Sequence, residues 1–148
     1  MMFSKSGQSK CNSSECNQIL SIADGTSFGY CFGYCTNNVT ITSSKLIGYN
    51  ESRQISQYSP LKKEFDYPLN NWKVLLGLVN IKKFISTNNT LGCPDCADGG
   101  AEYIEIQFLK CTKRVTFEYG RTIPDLDALV KKLRNIRIGY LKKLRDVY

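Results

Sequence analysis

Two close cysteine pairs, each set in a glycine-containing loop that runs into an alternating strand, restrict this chain more than any other feature. The first loop is Phe28-Gly29-Tyr30-Cys31-Phe32-Gly33-Tyr34-Cys35, followed by Val39-Thr40-Ile41-Thr42. The second is Gly92-Cys93-Pro94-Asp95-Cys96-Ala97-Asp98-Gly99-Gly100, followed by Glu102-Tyr103-Ile104-Glu105-Ile106-Gln107-Phe108. Apolar residues at a period of two place one strand face on a core and leave the other wet. Ser43-Ser44 then turns the chain into Lys45-Leu46-Ile47-Gly48-Tyr49, and Lys110-Cys111-Thr112-Lys113 turns it into a return strand carrying Val115, Phe117 and Tyr119. The pattern predicts two hairpins, over residues 38–49 and 104–119.

Each hairpin is followed by a helical pattern. Trp72, Leu75, Leu76 and Val79 fall at i, i+3, i+4 and i+7, which predicts one helix over residues 69–85 with Asn70 or Asn71 as its cap. Pro124 suits a first helical turn, and Asp125 and Asp127 followed by Lys131, Lys132 and Arg134 match the helix dipole. Leu126, Leu129, Val130, Leu133 and either Ile136 or Arg137 form its apolar stripe. Tyr140, Leu141 and Leu144 continue it past Gly139, as one long helix or as two pieces.

The expected fold is therefore α+β: an antiparallel sheet built from two β-β-α repeats, about 28–88 and 92–148, with both helices on one face. Ile19-Leu20-Ser21-Ile22 reads as a short extra strand ended by Asp24-Gly25, and residues 50–68, broken by Pro60 and Pro68, as a polar excursion with room for one further strand. Residues 1–18 read as a disordered or loosely attached segment, and 19–148 as a single domain.

The chain of 148 residues has no histidine, which removes the commonest general base and metal ligand and with them Ser-His and Cys-His catalysis. Nothing else forms a catalytic constellation, so a non-enzymatic protein is expected. Of the net charge of +7, residues 131–148 carry seven basic residues against one acid, which leaves the remainder near neutral. A basic face confined to one helix is expected to be a solvated surface over a core stripe, with nucleic acid or an anionic membrane as the less favoured alternative. No apolar run is long enough to span a membrane. The polar N-terminus shows no leader, and the expectation is a mature segment from which one has been removed; without that removal the chain would be cytoplasmic.

Seven cysteines carry the candidate site chemistry. Cys31, Cys35, Cys93 and Cys96 form structural disulfides, within or between the loops, in the leading reading. Four thiolates around a structural zinc are the alternative, and the pairs have short spacings that suit it, although 57 residues separate them. Thiol-redox work by Cys93 and Cys96 is a third reading. Cys11 and Cys16 would form another local pair, leaving Cys111 over. Tyr30, Phe32 and Tyr34 alternate along the first loop and are either a binding surface or a cover for the end of the core. Asp95-x-x-Asp98-Gly99-Gly100 has too few oxygens for a calcium loop and reads as a turn in which Asp98 bonds its own backbone. Four Asn-x-Ser/Thr sequons, at Asn12, Asn38, Asn50 and Asn88, matter only in a eukaryotic secretory host.

At the first cysteine loop the chain resembles a family of uncharacterised bacterial exported proteins and lipoproteins, whose opening is aromatic-Gly-x-Cys-aromatic-Gly-x-Cys-Pro. Thr36 stands here in the place of that proline. The similarity continues through Phe84, Pro94-Asp95 and Pro124-x-Leu126-x-x-Leu129, covering about residues 27–137. The resemblance implies an extracytoplasmic location and a hairpin-helix repeat, and implies no activity. The expected function is a non-enzymatic extracytoplasmic module that binds a protein or cell-surface component. The alternatives are a zinc-stapled intracellular module whose basic helix meets nucleic acid, and a thiol-redox protein. The partner and the oligomeric state are not specified by the sequence.

Overall fold

The computed structural model describes Cys11 and residues 18–147, with side chains to Leu144. Apart from Cys11 and Gln18, the N-terminal segment expected to be loosely attached lies outside the described residues, as does Cys16. Six strands form one antiparallel sheet: β1 (Ile19–Ser27), β2 (Tyr34–Ile41), β3 (Lys45–Ser52), β4 (Leu61–Asp66), β5 (Ala101–Phe108) and β6 (Thr112–Glu118), in the order β4-β3-β2-β1-β5-β6. Three helices accompany it: α1 (Leu69–Gly77), α2 (Ile81–Ser86) and α3 (Asp127–Val147). The fold is α+β, and both expected hairpins form, as β2–β3 and β5–β6.

The first strand departs from expectation. Asp24-Gly25 does not end it; the strand runs nine residues and lies in the middle of the sheet, between the two hairpins. Asp24 is buried and accepts a hydrogen bond from Arg137, and Gly25 lies under the ring of Tyr103 on β5, where a Cβ would collide with it. Two residues that ordinarily mark a turn are thus used for burial and close approach. The excursion over residues 50–68 contains the further strand, β4, at the sheet edge. The segment preceding β5 therefore holds three strands besides β1 and two helices, whereas the segment from β5 onward holds two strands and one helix.

One sheet face carries the core. Ile22, Ile41, Ile104, Ile106, Phe108, Val115 and Phe117 share a cluster with Trp72 and Leu75 of α1, Phe84 of α2, and Leu129, Val130 and Leu133 of α3. Helices from both segments thus cover the same apolar layer, as the amphipathic stripes require. The single helix expected over residues 69–85 is two helices. The side chain of Asn80 accepts the Lys83 N–H at 3.0 Å and starts α2 afresh, with Leu78 at the end of α1. Pro68, rather than Asn70 or Asn71, precedes α1 at its N-cap. Pro124 likewise stands before α3, in a turn where Asp125 is left-handed, and Asp127 begins the helix. Beyond Gly139 α3 continues unbroken.

Candidate functional site

The sheet register brings the cysteine loops together. Ser27 at the end of β1 lies opposite Ala101 at the start of β5, and Tyr34 at the start of β2 lies opposite Ser52 at the end of β3. Loops 28–33, 53–60 and 92–100 therefore emerge at one end of the sheet. Asp95 joins two of them: its carboxylate accepts the Gly29 N–H at 3.0 Å and the Gly100 N–H at 3.0 Å, one on each oxygen. The third loop holds the first from the other side. Gln54 accepts the Gly33 N–H at 3.1 Å, the Tyr34 hydroxyl donates to the Ser59 carbonyl at 2.9 Å, and Arg53 donates to the Gly29 carbonyl.

Cys31 pairs with Cys35 and Cys93 with Cys96, at Cα separations of 5.8 and 5.5 Å, so each bridge closes within its own loop. Both Cα separations lie in the range that a disulfide spans, and the two pairs do not converge on a shared centre. No group of three or more histidine, cysteine, aspartate or glutamate side chains is placed to hold a metal ion among the described residues. The expected Cys11–Cys16 pair is overturned: Cys11 bonds Cys111, 100 residues away, with a Cα separation of 5.4 Å. The reason is spatial. Leu109 donates to the Gln18 carbonyl at 3.0 Å, which places the chain leading into β1 beside the β5–β6 turn that carries Cys111.

The aromatic residues of the first loop are presented rather than buried. Tyr30 is 84% exposed and Phe32 71%, while Tyr34 is half-buried. Tyr58 from the third loop meets Phe32 and Tyr34 edge to face, with ring centroids 5.6 and 5.4 Å apart. Phe28 meets Tyr119 in the same manner at 5.0 Å. The loops that carry these rings are tied by disulfides and by cross-loop hydrogen bonds. Asp98 does not bond its own loop as expected; Asp95 takes that role, and with both its oxygens satisfied by backbone N–H groups the loop offers no carboxylate pair to a cation.

Beneath this end lies a group of charges that the sequence reading missed. Asp24, Glu102 and Arg137 are buried, and Arg134 is partly so. Arg137 Nη1 donates to Asp24 Oδ1 at 2.7 Å and to Glu102 Oε2 at 3.3 Å; Arg134 Nη2 donates to Glu102 Oε1 at 2.7 Å. Alongside them the Tyr140 hydroxyl donates to Asn50 Oδ1 at 2.9 Å, its ring lying over Gly48, where any Cβ would collide. Burial, then the hydrogen bond with Glu102, pushes Asp24 up to about 9, against the pull of Arg137. The signal was available in the periodicity. Asp24 and Glu102 occupy core-facing positions of alternating strands, and Arg137 a stripe position of α3. Turning Arg134 and Arg137 inward also removes two of the seven C-terminal cations from any nucleic-acid surface.

No protein-family model matches the chain, nor does any curated protein, so what this end of the sheet does rests on its own geometry.

Proposed function

We propose that the protein is a non-enzymatic, extracytoplasmic binding module whose cysteine-loop end seats a protein or cell-surface partner. The observation that carries this reading is the pair of aromatic side chains Tyr30 and Phe32, 84% and 71% exposed on a loop fastened by a disulfide, by Asp95 and by Gln54. Rigid aromatic groups give large contact area at small ordering cost, which is why they recur as binding anchors. Three cysteine pairs at disulfide distance support an oxidising compartment, in keeping with the resemblance to bacterial exported proteins. No helix among the described residues is long and apolar enough to cross a membrane. In the same reading the two hairpin-helix segments are copies of one unit, supported by the disulfide loop at the entrance of each hairpin.

The test is saturable binding of labelled protein to the surface of the cells that produce it. Tyr30→Ala with Phe32→Ala is expected to weaken binding at least about tenfold with no change in melting temperature. Equal binding by the double variant would sink the proposal. A second reading, thiol–disulfide exchange, is favoured by the exposure of both Cys93 and Cys96. It requires the reduced pair to exchange with a small disulfide faster than an ordinary thiol does.

A further inference from the structure

We infer that the cleft between α3 and residues 65–71 is a second binding site, for a single-chain amphiphile with an anionic head. The cleft has a volume of about 350 Å³, near the lower end of the range for small-ligand sites. Leu46, Phe65, Ile136 and Tyr140 form the apolar part of its lining, with the Phe65 and Tyr140 rings meeting edge to face at 6.0 Å, and Asn71 adds a polar group to the remainder. From the helix side it is lined by Lys132, Ile136, Gly139 and Lys143. Their spacing of i, i+4, i+7 and i+11 draws one line along α3.

Gly139 is the telling residue on that line. A glycine inside a helix costs about 0.5–1 kcal/mol relative to alanine. Here a Cβ would meet no atom within 4 Å, so packing does not demand the small residue. What it does is leave the middle of the cleft open.

The charges select the ligand. Asp66, the acid on the opposite wall, is already bonded by Lys45 at 2.8 Å. No acidic side chain among the described residues pairs with Lys132, and its helical neighbours three and four positions away are Ala128, Leu129, Asn135 and Ile136. The Lys143 ammonium lies 5.4 Å from the centre of the Phe65 ring, over the apolar end. An anionic head at Lys132 with an alkyl chain laid over Ile136 and Gly139 onto the Phe65–Tyr140 pair fits this polarity. Lys132 and Tyr140 are eight residues apart, about 12 Å along the helix, which is the reach of a medium-length chain.

Calorimetric titration of the whole protein with decanoate, below its micelle concentration, tests this. One decanoate is expected per chain. Lys132→Gln should weaken binding about tenfold and Lys143→Gln leave it within about twofold. Gly139→Leu should fill the cleft and abolish binding while raising the melting temperature, so that loss of ligand and loss of fold are told apart. Acetate, which has the head alone, and decyl maltoside, whose head is neutral, should both fail to saturate. Decyl phosphate in parallel identifies the head: whichever of the two chains binds tighter, the site stands. The inference is overturned if decanoate does not saturate, if the Gly139→Leu protein binds it unchanged, or if the neutral amphiphile binds equally well.

Discussion

Asp24 and Glu102 are carboxylates on neighbouring central strands, both fully buried beneath α3. An acid whose folded pKa of about 9 exceeds its ordinary 3.8 holds its proton more tightly in the folded chain. The stability this contributes is complete below about pH 4 and is lost as pH rises toward 9. Asp24→Asn imitates the protonated form, so the variant is expected to match the parent near pH 4 and to exceed it by about 1–3 kcal/mol at pH 8. Chemical denaturation across that range reads the difference directly. A parent that gains on the variant as pH rises would mean an ionised Asp24 paired with Arg137. Removing the cation acts in the opposite direction. Arg137→Met strands Glu102 with Arg134 as its remaining cation and should cost about 3–5 kcal/mol, whereas Arg134→Met, at a partly exposed side chain, should cost less than half of that. These charges were legible in position but not in kind: period-two alternation puts Asp24 and Glu102 on the core face, yet nothing local says which cations will meet them. That pairing joins residues 113 positions apart, and only the packed fold supplies it.

At the scale of elements, the strands and helices with strong periodicity were legible and their ends were not. The β2–β3 and β5–β6 hairpins follow from alternation, and α3 from its stripe. At the split between α1 and α2 the Asn80 side chain accepts the Lys83 N–H, a cap that a continuous apolar pattern conceals. The two cysteine loops were legible as loops, but the element joining them, the Asp95 carboxylate, was not. Within the second loop Asp95, Ala97 and Asp98 have φ of 59°, 53° and 59°. A non-glycine residue such as alanine pays about 1–2 kcal/mol to sit there. The Cys93–Cys96 bridge spans Asp95, whose carboxylate accepts the Gly29 N–H, so the bridge is expected to hold that carboxylate in place. Cys93→Ser with Cys96→Ser is therefore expected to speed exchange of the Gly29 and Gly100 amide protons about tenfold or more while core amides keep their protection. Unchanged exchange at Gly29 would show that Asp95 keeps its place without the bridge.

For the molecule as a whole, the tie that matters most is the one between Cys11 and Cys111. Their pairing was not legible because cysteines five positions apart, at 11 and 16, invite a local bridge, and because the position of β1 at the sheet centre cannot be derived from a strand read as four residues long. Once β1 lies beside β5, the chain entering it passes the β5–β6 turn and the long-range bridge follows. A cross-link spanning 100 residues removes far more freedom from the unfolded chain than the three- and four-residue bridges do. Chain-entropy arguments put its contribution at about 4–5 kcal/mol, against a total stability of about 5–15 kcal/mol for a domain. Cys11→Ser with Cys111→Ser should therefore cost about 3–5 kcal/mol in urea unfolding, and the released unfolded chain should expose more surface and steepen the denaturant slope. The Cys31→Ser with Cys35→Ser protein provides the contrast, since opening a short loop leaves the unfolded ensemble nearly as before. A loss below about 1 kcal/mol for the long-range pair, with an unchanged slope, would mean that Cys11 is held by packing against the core and not by the covalent bond.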